Sequence, residues 1–356
     1  MAINSVITGT GSYIPTVVKR NLDFLTNQFL NDDGTPFGYE NEIVIEKFKA
    51  ITGIEERRYA SPELNSSDLA FFAAEKAIAD AKIDQEDLDY LILAHNFGDV
   101  KSASNQSDIL PSLASRVKHR LGIKNPNCVA YDILFGCPGW IQGMIQAEAY
   151  IKSGMAKKCL VVGTETLSRV LDDHDRDSMI YSDGAGACVV EAVESTSKTG
   201  ILSYAAQTYS FEECYYLFFG KSFDKTGDDQ LRYIKMYGRK IYEFGLNFVP
   251  LAMKEALDKS GVDILDVKKI LIHQANEKMD EAIIKRFYRL YKTEIPDAVM
   301  PMSIHTLGNS SVATVITLFD LIKHGNLKPH SLNKGDIILM ASVGAGMNIN
   351  AIVYKY

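Results

Sequence analysis

One of the five cysteines, Cys137, stands in Asp132-Ile133-Leu134-Phe135-Gly136-Cys137-Pro138-Gly139-Trp140, directly ahead of an apolar helical pattern from Ile141 to Ile151. Proline is well tolerated in a first helical turn, because its missing N–H needs no intrahelical partner there. A thiol at a helix N-terminus meets unpaired amides and the positive dipole end, which favour thiolate. A nucleophilic cysteine uses that environment. The plain alternative is a free cysteine filling a tight turn. His273 ends an apolar run and opens His273-Gln274-Ala275-Asn276, and Asn309 lies in Leu307-Gly308-Asn309-Ser310-Ser311. A neutral imidazole and a carboxamide can both donate to a thioester oxygen, or to the enolate left when a carboxylate departs as carbon dioxide. Taken singly, such a histidine reads as a core residue and Gly-Asn as a turn.

What separates these three from the plain readings is an internal repeat, the pattern to seek first. Ala77-Ile78-Ala79-Asp80 leads through Ile83-Asp84 to Leu88 and the run Leu91-Ile92-Leu93. Ala256-Leu257-Asp258-Lys259 leads through Val262-Asp263 to Val267 and Ile270-Leu271-Ile272 at identical spacing. A second pair, Ile151-Lys152-Ser153-Gly154 and Ile322-Lys323-His324-Gly325, each precedes a buried strand pattern. Counting back equally from these glycines sets Cys137 opposite Gly308, the neighbour of Asn309. Runs such as Cys159-Leu160-Val161-Val162 and Ile337-Ile338-Leu339-Met340 have little polar interruption, so their strands are expected to be covered on both faces. Ligands in open α/β sheets bind beyond the carboxyl ends of strands. The repeat therefore directs attention to Cys137, His273 and Asn309 together.

Two glycine-rich turns, Ser182-Asp183-Gly184-Ala185-Gly186 and Val343-Gly344-Ala345-Gly346-Met347, match neither a P-loop nor a dinucleotide fingerprint. Backbone amides of Gly344, Ala345 and Gly346, with that of Cys137, are expected to form an oxyanion hole, where one donor is worth roughly 3–4 kcal/mol in rate. The net charge of −7 and pI near 5.6 argue against nucleic-acid binding by global charge. Cysteine spacing suggests neither a secreted disulfide framework nor a zinc site. No basic, apolar leader opens the chain and no run spans a bilayer, so a soluble, cytoplasmic enzyme or binding protein is expected.

These segments resemble the β-ketoacyl-acyl-carrier-protein synthase III family of the thiolase superfamily. The likeness runs from Gly9-Thr10-Gly11-Ser12-Tyr13-Ile14-Pro15 and Thr52-Gly53-Ile54-Glu55-Glu56-Arg57, through the Cys137 segment and Asp183-Gly184-Ala185-Gly186-Ala187, to His273-Gln274-Ala275-Asn276 and Gly308-Asn309-Ser310-Ser311. It implies an α/β thiolase fold, a duplicated five-layered αβαβα arrangement with halves at 1–195 and 196–356, and a homodimer. It also implies the chemistry: Cys137 takes an acyl group from acyl-CoA or an acyl-carrier protein, and His273 and Asn309 hold the malonyl-type extender's carbonyl while carbon dioxide leaves. Malonyl-acyl-carrier protein would be the extender, and no metal or redox cofactor is implied.

Phe135 and Trp140, flanking the nucleophile, are expected to line the acyl tunnel, with Leu110 in place of the family's gating aromatic. Lys47 and Ile51 replace the Trp and Arg that usually clamp adenine, which tilts the donor toward a carrier protein or an unusual acyl group. Lys278, Lys285 and Arg286 are expected to dock an acidic carrier protein. The aromatic stretch Tyr204-to-Tyr237 either reshapes the tunnel or packs in the core or a dimer face. Competing readings are an acyltransferase to a non-malonyl acceptor, a non-decarboxylative condensation, and a non-catalytic partner subunit. The second of these needs an acidic base near Cys137, and the sequence offers no compelling one.

Overall fold

The segments that repeat in sequence fold alike in the computed structural model, which describes residues 1–356. Helix Ser66–Ala81 ends at Lys82 in the left-handed conformation, Asp84 accepts the Glu86 N–H at 3.0 Å across a short turn, and strand Tyr90–Ala94 follows. Helix Gly238–Ser260 ends at left-handed Gly261, Asp263 accepts the Leu265 N–H at 2.8 Å, and strand Val267–Ile272 follows. An aspartate capping the turn between a left-handed helix end and a buried strand is thus used twice. The second pair behaves the same way: helices Gly139–Lys152 and Thr314–Lys323 lead past Gly154 and Gly325 to strands Lys158–Thr166 and Ile337–Gly344.

Each half builds one main sheet, and the two share a strand order. The first runs Ala2–Tyr13, Asp183–Ser195, Lys158–Thr166, Tyr90–Ala94, Val129–Ile133. The second runs Gly200–Thr208, Asn348–Lys355, Ile337–Gly344, Val267–Ile272, with the same alternation of antiparallel and parallel pairs. At the place of a fifth strand, only the Val299 carbonyl accepts from Ile270 N–H, at 2.8 Å. Pro296 and Pro301 bracket that segment, and prolines lack the donor a ladder needs. The first sheet ends at Ser195 and the second starts at Gly200.

Side chains alternate between the faces of each strand, and the central strands Tyr90–Ala94, Lys158–Thr166 and Ile337–Gly344 are buried on both. Ile92, Val161 and Val190 of the first sheet, with Ile338, Met340 and Ile352 of the second, sandwich helices Gly139–Lys152 and Thr314–Lys323 in a central layer. Leu91, Leu93 and Leu160 face helices Ser66–Ala81 and Leu113–Leu121 on one outside. Ile270, Leu339 and Val353 face helices Gly238–Ser260 and Glu277–Leu290 on the other. The layers are therefore αβαβα. No helix is long and apolar enough to cross a membrane.

One core residue is out of keeping with its surroundings. Asp280, on helix Glu277–Leu290, is fully buried and neither carboxyl oxygen has a partner. Burial holds its pKa well above the carboxylate range, with Glu277 and Glu281 adding to the rise. The unfolded chain releases this proton above about pH 4 while the folded chain keeps it, so stability falls as pH rises through that range. Asp280→Leu is expected to stabilise the protein by about 1–3 kcal/mol at neutral pH, with a smaller gain near pH 4. Urea titrations of both proteins at the two pH values would refute this by a loss, or by an equal gain.

Candidate active site

Cys137 sits one residue ahead of the Pro138 cap of helix Gly139–Lys152, in a turn where Gly136 has φ 66°. A Cβ on Gly136 would lie 2.7 Å from Ala345 N, and one on Gly344 would lie 2.4 Å from Cys137 N. Only glycine permits these approaches, so the nucleophile turn rests backbone to backbone on the Gly344–Gly346 turn. The Cys137 N–H meets no backbone carbonyl. Burial pushes the thiol up to about 12, outweighing the Ser311 hydroxyl that donates to Sγ at 3.3 Å. This corrects the expectation of a ready thiolate. The helix end is where the sequence put it, but the desolvation that accompanies it favours the neutral thiol.

His273 leaves the end of strand Val267–Ile272 with its N–H bonded to the Ala341 carbonyl at 2.9 Å. It is buried, its Nδ1 lacks a partner, and desolvation lowers its pKa to about 4. At neutral pH the ring is therefore neutral and still carries one N–H to donate to a developing anion. Asn309 is locked by its backbone, which bonds to Ile180 O at 3.0 Å and to Ser182 N at 2.8 Å. Its side-chain oxygen accepts the Ser311 N–H at 2.8 Å, leaving the NH₂ as the free end. Cys137, His273 and Asn309 line one chamber, together with Gly344, Met347 and Tyr181.

A second cavity of about 200 Å³ opens on another side of Cys137, walled by Phe97, Leu167, Phe218, Phe219 and Ile234. Phe135 and Trp140 line neither cavity, which corrects their assignment to the tunnel. Trp140 is fully buried in the central layer and Phe135 packs against that layer. Sequence neighbours of the nucleophile point along the helix into the core, whereas the walls come from the hairpin Leu217–Gly220 with Tyr233–Met236. The aromatic stretch is thus divided. Phe218 and Phe219 face the cavity, Tyr209 packs on Phe244 and Phe248, and Phe211 and Tyr215 are exposed. Leu110 is 88% exposed and lines neither cavity beside Cys137.

The third cavity, about 520 Å³, forms a mouth beyond the chamber and shares Ala275, Met279 and Ile241 lining with it. Lys47 and Ile51 do line it, but they do not leave it without an aromatic platform or a cation. Lys47 Nζ lies 3.7 Å from the Tyr39 ring centroid, and Arg176 lies 4.0 Å from that of Phe37. Lys278, Lys285 and Arg286 are exposed at spacings that share a face of helix Glu277–Leu290. Arg286 is tied to Asn247 Oδ1 at 2.7 Å and Leu246 O at 3.1 Å, so it also fastens two helices together.

Sequence reasoning missed Glu165. It lies at the end of strand Lys158–Thr166, nearly inaccessible, with Asn96 donating to it and Ser311 beside it. Burial pushes its pKa up to about 8, and its charge bears on Cys137. The expectation of no acid near the thiol is therefore wrong. A glutamate closing the apolar run Cys159–Gly163 was the available signal.

Duplicated sheets of thiolase order, with a cysteine at one central helix and a histidine and asparagine facing it, define a condensing-enzyme fold and constellation. The description 3-oxoacyl-[acyl-carrier-protein] synthase III fits residues 131–210, and that of its C-terminal part fits residues 257–356. The chain is 33% identical to the β-ketoacyl-[acyl-carrier-protein] synthase III of Caldanaerobacter subterraneus subsp. tengcongensis, over 98% of this chain and 97% of that one. With the Bacillus pumilus protein of the same name it shares 31% identity over 99% of each. The solved 3-oxoacyl-[acyl-carrier-protein] synthase III of Aquifex aeolicus superposes with a TM-score of 0.80 at 31% identity, covering 99% of this chain and 100% of that one. The chain belongs to the β-ketoacyl-acyl-carrier-protein synthase III family.

Proposed function

We propose that the protein catalyses decarboxylative Claisen condensation of a Cys137-bound acyl group with malonyl-acyl-carrier protein, giving a β-ketoacyl thioester in fatty-acid or related lipid synthesis. The observation that carries this reading is the single chamber shared by Cys137, His273 and Asn309, with an apolar cavity leading away from the sulfur. An acyl chain occupies that cavity while its carbonyl oxygen takes the Cys137 N–H and an amide of the Gly344–Gly346 turn. The malonyl thioester oxygen accepts from His273 and from the Asn309 NH₂. Loss of carbon dioxide leaves an enolate held by the same two donors, and its carbon attacks the acyl-Cys137 thioester. Metal or redox chemistry has no part in this scheme.

The carrier protein is acidic and approaches the Lys278, Lys285 and Arg286 face, its phosphopantetheine entering through the mouth lined by Lys47 and Arg176. The working form is a cytoplasmic homodimer. Its contact face is the open edge strand Val129–Ile133 with the exposed apolar Ile109, Leu110, Val129 and Leu134. An unpaired sheet edge beside apolar side chains invites a second copy across a two-fold axis. Leu110 then approaches the partner's acyl cavity.

The test supplies a panel of acyl-CoAs with malonyl-acyl-carrier protein and measures product and carbon dioxide. The expected result is β-ketoacyl-carrier protein and carbon dioxide in equal amounts. Acyl transfer to an alcohol or amine, with no malonyl-dependent product, would favour an acyltransferase instead.

A further inference from the structure

Condensation as described leaves one buried acid without a task. Glu165 is 1% exposed, and Asn96 donates from Nδ2 both to it and, at 3.1 Å, to Ser311 Oγ. Asn96 Nδ2 thus bridges the carboxylate and the Ser311 hydroxyl, and that hydroxyl donates to Cys137 Sγ at 3.3 Å. Ser311 is held at φ 51°, a left-handed conformation uncommon outside glycine, with its N–H on Asn309 Oδ1 at 2.8 Å and its hydroxyl on the thiol.

From this chain of contacts we propose that Glu165 is a positioning residue that, through Ser311, takes the Cys137 thiol proton during acyl loading and returns it when condensation frees the sulfur. The proposal rests on the reading of Cys137 as the nucleophile. In loading, Sγ bonds to the acyl carbon, its proton passes to Ser311 Oγ, and the Ser311 proton passes to the Glu165 carboxylate. The donor's C–S bond breaks, and its thiolate leaves and takes a proton from water. In condensation the enolate carbon bonds to the acyl carbon, the C–Sγ bond breaks, and Cys137 recovers its proton from Glu165 by the reverse route. Over one cycle the enzyme is restored and one solvent proton is consumed.

The electrostatics agree with this division of labour. A thiol near 12 does not ionise unaided, and His273 near 4 is too weak a base to help. Glu165 near 8 can both accept and return a proton at neutral pH. The titratable groups bearing on it are Asp183 on the neighbouring strand and the Cys137 thiol itself, and its other neighbours, Asn96 and Ser311, are neutral.

Alkylation of Cys137 by iodoacetamide tests the relay in the full-length chain without needing the natural acyl donor. Rates are followed by intact mass between about pH 6 and 9.5 for wild type, Glu165→Gln and Ser311→Ala, bracketing the range where a general base near neutrality acts. Both variants are expected to react at least about tenfold more slowly near pH 8 and to lose the wild-type rise there. A carboxylate acting only as a fixed charge gives the opposite result, because neutralising it eases thiol ionisation. Ser311→Ala leaves the carboxylate in place but also removes a hydrogen bond that favours the thiolate, so in that variant the loss of the pH-dependent rise, not the slower rate, reports the relay. Alkylation at the wild-type rate or faster in either variant overturns the proposal. Acyl loading of wild type is read separately, so failure of the condensation reading is distinguishable from failure of the relay.

Discussion

Cys137→Ala is expected to abolish β-ketoacyl formation, by roughly 10⁵-fold or more, while leaving decarboxylation of malonyl-acyl-carrier protein intact. The size follows from the loss of a covalent nucleophile, for which no neighbouring group can substitute. Cys128, Cys159 and Cys188 are buried and line none of the cavities beside His273 and Asn309. Survival of decarboxylation follows from geometry, because the enolate donors are His273 and Asn309 and neither depends on Sγ for its position. His273 is carried by the strand ending at Ile272, and Asn309 is held by Ile180, Ser182 and Ser311. Release of carbon dioxide and yield of condensation product, measured on one variant, separate the two half-reactions.

The complementary substitutions should fail in the other half. His273→Ala and Asn309→Ala are each expected to slow malonyl decarboxylation by about 10²–10³-fold, the usual effect of removing one preorganised donor to a developing oxyanion. Both should still accept an acyl group on Cys137. Because burial holds His273 near 4, decarboxylation should show no inflection near the ordinary histidine value of about 6.5. Were the imidazolium the working form, the rate would climb as pH fell through that value. A pH profile of carbon dioxide release by Cys137→Ala decides between them, free of any contribution from the thiol.

Much of this arrangement was legible in the sequence because it is carried by spacing. The helix-turn-strand units around Asp84 and Asp263 repeat at identical spacing, so two matching sheets followed, and strand ends pointed to Cys137, His273 and Asn309. Cavity walls were not legible in the same way. Trp140 is next to the nucleophile helix start in sequence, yet helical geometry turns it into the central layer. Phe218 and Phe219 arrive from a hairpin some eighty residues further on and meet Cys137 only in the folded chain. The thiol's ionisation was misjudged for a related reason: the helix N-terminus is a local feature, while desolvation depends on every segment packed around it. The mouth gave the same lesson, since Tyr39 and Phe37 supply aromatic faces that counting back from Thr52 to Lys47 and Ile51 could not reveal. Glu165 was readable as a charge ending an apolar strand, but nothing short of the fold set Ser311 between it and Cys137.

The measurement that bears most directly on the central claim is the intact mass of the protein after incubation with acyl-CoAs of increasing chain length and with acyl-carrier proteins, beside Cys137→Ala. The account predicts one acyl mass on wild type, none on the variant, and discharge of that mass on adding malonyl-acyl-carrier protein. An acyl mass on Cys137→Ala, or no adduct on wild type from any donor, would contradict it.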